Sequence, residues 1–147
     1  MEKPKNSLEL YSEKILELAA NISLHERLNS PDISIEKRAP ICGSMVTVDL
    51  NISKDKIVGY AHDVKACALG QASASILSKD IIGKTLTEII TARVSVKKML
   101  AGDRYLLDIF KDYSFLSPAV DYKHRHASIM LVLDATVEGI EKIKNSL

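Results

Sequence analysis

Leu8, Tyr11, Ile15, Leu18 and Ile22 recur at steps of three and four residues, a spacing that draws an apolar stripe along one face of a helix predicted over Ser7 to Ile22. Residues 23 to 41 follow neither a helical nor a strand period. They contain Asn29, Ser30, Pro31 and Pro40, and read as an extended connection. The period then becomes two. From Met45 onward, Val46, Val48, Leu50 and Ile52 alternate with Thr47, Asp49 and Asn51, the pattern of a strand with one buried face. Ser53-Lys54-Asp55-Lys56 is short and polar enough for a hairpin turn, and Ile57 to Val64 can return as the antiparallel partner.

Small side chains dominate Cys67 to Leu77, which predicts a helix packed closely against its neighbours. Gly70 and the serines lower its intrinsic propensity, so tertiary contacts must hold it. Gly83 stops it, and Thr85-Leu86-Thr87-Glu88 is a capping box that opens a helix running to about Ala101-Gly102. A short helix is expected over Arg104 to Tyr113, ended by Ser117-Pro118. From Ser128, the residues Ile129, Leu133, Thr136, Val137, Ile140 and Ile143 mark a last amphipathic helix that closes over the sheet. The sum is an α+β chain in which a small antiparallel sheet of about three strands packs against several helices, as one domain over residues 1–147.

Composition narrows the function classes. With 147 residues, 46% of them hydrophobic, the chain can bury a full core. Its 20 Lys and Arg balance 19 Asp and Glu, leaving no field of one sign for nucleic acid or an anionic membrane. Two cysteines cannot staple a fold of this size, and no secretory leader pattern opens the chain, so a reducing, cytoplasmic setting is expected. The apolar run Ile129 to Leu133 ends at Asp134, far short of the roughly 20 residues of a membrane span.

Both cysteines stand where local structure changes. Cys42 precedes a strand, with Gly43 behind it, and Cys67 opens a helix, where exposed amides, the positive end of the macrodipole and nearby Lys65 favour thiolate over thiol. The competing interpretation is a pair of small buried hydrophobes. No CxxC motif exists, so a shared site must be assembled by folding. His126, in Lys123-His124-Arg125-His126-Ala127-Ser128, stands before the last helix, where a neutral imidazole would complete a metal site or simply sit in a solvated basic turn. His25 falls in the first connection, and His62 in the second strand, outward by alternation.

Cys42-Gly43-Ser44 opening a strand, a hairpin, and Ala66-Cys67-Ala68-Leu69-Gly70-Gln71-Ala72-Ser73-Ala74-Ser75 opening a helix closely resemble the NifU N-terminal domain family, which includes the IscU and SufU iron–sulfur cluster scaffolds. The resemblance extends to Leu10-Tyr11, to Ile82-Gly83-Lys84-Thr85 and to Arg125-His126-Ala127-Ser128, nearly the whole chain. It implies that Cys42 and Cys67 fall on the family's first two cysteines and that His126 matches a histidine found in some members. Ser44 stands at the family's usual aspartate, and Ala127 at its third cysteine. Implied ligands are therefore Cys42, Cys67 and His126, against the four that a cluster iron prefers. The fourth would come from another residue, a second subunit, a partner or an exogenous thiol.

Three functions compete. The first is a non-enzymatic scaffold or carrier in iron–sulfur cluster assembly, binding iron or a cluster, with zinc able to occupy the site in purified protein. Implied partners are a cysteine desulfurase and recipient iron–sulfur proteins, with a homo-oligomer left open and the loss of the third cysteine allowing a cluster-free paralogue that binds assembly partners. The second is a SufE-like acceptor of persulfide sulfur at Cys67. The third is an enzyme with Cys67 as nucleophile and His126 as base, unsupported by any oxyanion or substrate motif. Phosphate-cradling glycine loops, HExxH and paired acidic motifs are absent.

Overall fold

The computed structural model describes residues 12–40 and 42–146. Helix α1 spans Glu13–Ala20 and buries Ile15, Leu18 and Ala19. Ser12 caps it, its hydroxyl accepting from the Ile15 amide at 3.3 Å. The expected earlier start, with Leu8 and Tyr11, lies outside the described residues.

Strands β1 (Ile33–Arg38), β2 (Met45–Ser53) and β3 (Lys56–Lys65) form an antiparallel sheet in the order β1-β2-β3. The turn between β2 and β3 places both Lys54 and Asp55 at positive φ, matching the primed turns whose twist suits a two-residue hairpin. Strand β1 occupies part of the stretch from 23 to 41, which was expected to be only an extended connection between elements. Ile33 and Ile35 share a face, but the third position on it is Lys37, whose ammonium reaches Glu138 at 3.0 Å. The alternation therefore stops after two apolar residues.

Helices α2 (Ala68–Asp80), α3 (Leu86–Leu100) and α4 (His126–Asn145) complete the regular α structure of the described residues. The capping box of α3 is present in both directions: the Glu88 amide donates to Thr85 Oγ1 and the Thr85 amide to Glu88 Oε1. Helix α4 lies across β1 and β2, so close that a Cβ on Gly139 would stand 2.8 Å from Leu50 Cδ1. No helix among the described residues is long and apolar enough to cross a membrane.

The short helix expected over Arg104 to Tyr113 is not there. Instead, a 3₁₀ helix runs over Lys111–Asp121, through Ser117-Pro118 rather than stopping at them, and a second covers Lys123–Arg125. Phe110, Tyr113, Leu116 and Ala119 are all buried. Their spacing of three matches the three residues per turn of a 3₁₀ helix, so a single edge of it faces the core. Tyr113 anchors this edge by donating to the Ser73 carbonyl of α2 at 2.9 Å.

His62 points inward, not outward. Register pairs it with Val48, and Tyr60 with Leu50, on the face the helices cover. Buried there, its Nε2 donates to the Ser23 carbonyl at 2.8 Å, leaving Nδ1 to accept from the Tyr60 hydroxyl at 3.2 Å.

Candidate thiol site

Antiparallel pairing brings the start of β2 and the end of β3 to one edge of the sheet, where Met45 is opposite Lys65. Each end carries a cysteine. Before β2, the Ala39 amide donates to the Ser44 carbonyl at 2.8 Å and the Gly43 amide to the Ala39 carbonyl at 2.9 Å. Gly43 closes this loop at φ +73°, a value costly for other residues. Cys42 is exposed on the loop, and Ser44 turns inward. After β3, Cys67 is the N-cap residue of α2 and is half-buried.

The first turn of α4 meets the first turn of α2 at this edge. A Cβ on Gly70 would lie 2.6 Å from Ser128 Oγ and 2.7 Å from Ala66 Cβ, so only glycine lets the helices approach this far. Gly70→Ala is expected to destabilise the chain by about 1–3 kcal/mol through overpacking, despite alanine's better helix propensity. Urea unfolding checks this; a Gly70→Ala protein as stable as wild type would show that the helices separate freely here.

A chain of polar contacts joins the two thiols. Cys42 Sγ donates to Ser44 Oγ at 3.2 Å, Ser44 Oγ is 3.3 Å from Ser128 Oγ, and Ser128 Oγ is 3.2 Å from Cys67 Sγ. Ser44 is 3% and Ser128 1% exposed, so both hydroxyls are shut off from bulk water. The Ser44 hydroxyl holds the Cys42 thiol below its ordinary pKa, against a smaller opposing effect of burial. At Cys67, burial pushes the pKa up, but the Ser128 hydroxyl, the amides of Gly70 and Leu69 and the charge of Arg125 together bring it below the ordinary value. The expected influence of the helix end on Cys67 is thus present, with Arg125 a contributing cation.

His126 is the first residue of α4 and is half-buried. Its Nε2 donates to the Ala119 carbonyl at 2.7 Å, which leaves Nδ1 with the lone pair. It is not gathered with the thiols: among the described residues no three His, Cys, Asp or Glu side chains are grouped to hold a metal ion. His25 is exposed in the first connection. The residues that sequence reasoning missed are Ser44, noticed only as a departure from aspartate, and Ser128, taken only as the start of the last helix. Their adjacency to the quoted motifs was the available signal. A separate cleft of about 280 Å³ beside α3, lined by residues including Thr91, Ser95 and Leu107, contains no cysteine or histidine.

A three-stranded antiparallel sheet under helices, with two thiols joined by a path of polar contacts where β2 begins and β3 ends, makes an α+β fold. The model of the NifU-like N-terminal domain matches residues 10–128, and the chain belongs to that family. It is 25% identical over 134 residues to the iron-sulfur cluster assembly scaffold protein IscU of Thermotoga maritima, covering 91% of this chain and 94% of that protein. Among solved structures, the N-terminal part of a nitrogen-fixing NifU-like protein from Brucella abortus superposes with a TM-score of 0.93 at 37% identity, covering 96% of this chain and 99% of that one. A candidate SUF-system scaffold from Fervidobacterium islandicum AW-1 shares the fold, with a TM-score of 0.82 at 24% identity over 88% of this chain and 96% of that one.

Proposed function

We propose that the chain acts as a single domain in the cytoplasm, a non-enzymatic scaffold or carrier for iron–sulfur species, with Cys42 and Cys67 as its sulfur ligands. The carrying observation is the continuous contact path Cys42–Ser44–Ser128–Cys67 at one sheet edge, which puts two acidified thiols in one site. Thiolates select iron–sulfur species, zinc or cuprous ions over magnesium and calcium. Iron or a cluster is the cargo, and zinc competes for the same sulfurs. His126 joins through Nδ1 if its ring swings toward the thiols; donation from its other nitrogen to a carbonyl is the usual support of a ligating histidine. Membership in the NifU-like family supports a cysteine desulfurase as sulfur donor and recipient iron–sulfur proteins as acceptors.

Anaerobic reconstitution with ferrous iron and sulfide tests this. Wild type is expected to retain both and to develop a cluster absorbance band, Cys42→Ala and Cys67→Ala to fall to background, and His126→Ala to lose part. Wild-type protein without iron or acid-labile sulfide would defeat the proposal.

The acidified, half-buried Cys67 also supports a second role as a sulfur acceptor. Its thiolate would attack the outer sulfur of a donor persulfide and release the donor's thiol. Mass spectrometry after incubation with a desulfurase and cysteine would then find one added sulfur on Cys67; an unmodified residue rejects it.

A further inference from the structure

We infer that the groove beside α3 is a self-association surface, through which two copies of the chain pair about a two-fold axis with their α3 helices antiparallel. The surface is separate from the thiol chemistry: none of Cys42, Ser44, Cys67 and Ser128 lines it.

Two pieces of chain build the groove. On α3, Glu88, Thr91, Ser95 and Lys98 recur at steps of three and four, so they form one strip along the helix with the small Thr91 and Ser95 at its centre. The chain leaves α3 through Gly102 at φ +82° and runs back beside it. There Leu107 and Ile109 pack against the core, which turns Leu106 and Asp108 outward. The cleft of about 280 Å³ between the two pieces continues into another of about 370 Å³; Thr91, Ser95, Leu106 and Asp108 line both. The rim is apolar. Leu106 is 70%, Val94 43% and Tyr105 39% exposed, three of the eight large hydrophobic side chains left exposed among the described residues. Tyr105 and Leu106 stand on one flank of the strip and Val94 on the other. Such a rim around small side chains gains from being covered.

Charge says what covers it. Lys98 and Arg104 line the end of the groove near the C-terminus of α3, and Glu88 the end near its N-terminus, with Asp108 between Arg104 and the cavity that Lys84 borders. A strip with a basic and an acidic end complements itself only when reversed, which is what a two-fold does. With the axis at the level of Arg93, Glu88 faces Lys98 of the second copy and Thr91 faces its Ser95. The 104–109 segments then lie side by side, Arg104 toward the other copy's Asp108, and the two Val94 side chains meet on the opposite flank. Arg93 itself does not repel its counterpart, because Asp134 of its own chain accepts from it at 2.6 Å. Glu88 is committed to the capping box. Arg104 and Asp108 are exposed and have no ion-pair partner among the described residues, so they are free to carry the contact.

Sedimentation velocity of the full-length chain from about 1 μM to about 1 mM, with a reductant and a chelator present so that neither a disulfide nor a shared metal can bridge two copies, reads the equilibrium. Wild type is expected to pass from monomer to dimer in this range, and less readily at high salt. Leu106→Glu, which would bury an unpaired carboxylate, is expected to raise the dissociation constant by about tenfold or more. Arg104→Asp and Asp108→Arg should each raise it by about tenfold, and the two together should restore it to within about threefold of wild type, a rescue that only a reciprocal contact gives. Circular dichroism confirms that each variant is folded. A chain that stays monomeric throughout overturns the dimer and leaves the groove to an unlike partner. A dimer indifferent to Leu106→Glu and to both charge reversals has another interface, and reversals that weaken it without mutual rescue overturn the antiparallel pairing.

Discussion

Acidification from pH 7 to pH 5 is expected to cost the folded chain about 2 kcal/mol through one side chain, His62. Burial of this imidazole lowers its pKa from 6.5 to about 4; the carbonyl of Ser23 and the charge of Asp63 favour its charged form, and the charge of His25 disfavours it. Its Nδ1 accepts from Tyr60, so protonation turns an acceptor into a second donor between β3 and the helices. As pH falls below 6.5, the unfolded chain takes up the proton first. Stability is therefore complete above that pH and declines at up to about 1.4 kcal/mol per pH unit, reaching a loss of about 3 kcal/mol at pH 4. Urea unfolding of wild type and His62→Gln at pH 7, 6 and 5 reads the effect. The variant starts less stable but has a flatter profile; parallel profiles would mean that His62 takes up its proton in the folded state as readily as in the unfolded one.

Where a local period matched an element, that element was legible in the sequence. The hairpin of β2 and β3, the capping box at Thr85 and the apolar face of α4 follow from residues close together in the chain. What was missed depended on tertiary placement. Strand β1 is hidden because Lys37 occupies an inward position by pairing with Glu138 of α4. The 3₁₀ helix is signalled by the spacing of three from Phe110 to Ala119, a period that belongs to neither an α helix nor a strand. His62 was misplaced because its face depends on register against Val48. At the site, each cysteine was recognisable at the edge of an element, but their meeting was implied only by family resemblance. The hydroxyls between them come from positions 84 residues apart, a separation no local pattern bridges.

Arg27→Ala is expected to destabilise the chain by about 1–3 kcal/mol, since Arg27 is half exposed but its loss leaves the buried Asp49 carboxylate without its charged donor. Asp49, on β2, is fully buried. It accepts from Arg27 Nε and Nη2 at 2.7 and 2.9 Å, from the Leu28 amide at 3.0 Å and from Ser34 Oγ at 2.6 Å. Burial alone would raise its pKa, but these donors bring it below the ordinary carboxylate value. Its contribution is therefore present above that value and is lost as pH falls through the folded pKa, below the range where His62 acts. These four bonds tie the connection ahead of β1, and β1 itself, to β2. Loss of Arg27 removes the two strongest donors and leaves a charge with two neutral ones. Adding Asp49→Asn removes that charge, so the double variant should be more stable than the sum of the two single losses by about 1 kcal/mol or more. Simple additivity in urea unfolding would refute the pairing. Because β1 and β2 carry the two ends of the Cys42 loop, the same variant is also expected to reduce iron retention at the thiol site: Ala39 and Ser44, whose main-chain bond closes that loop, stay paired only while the β1–β2 register holds.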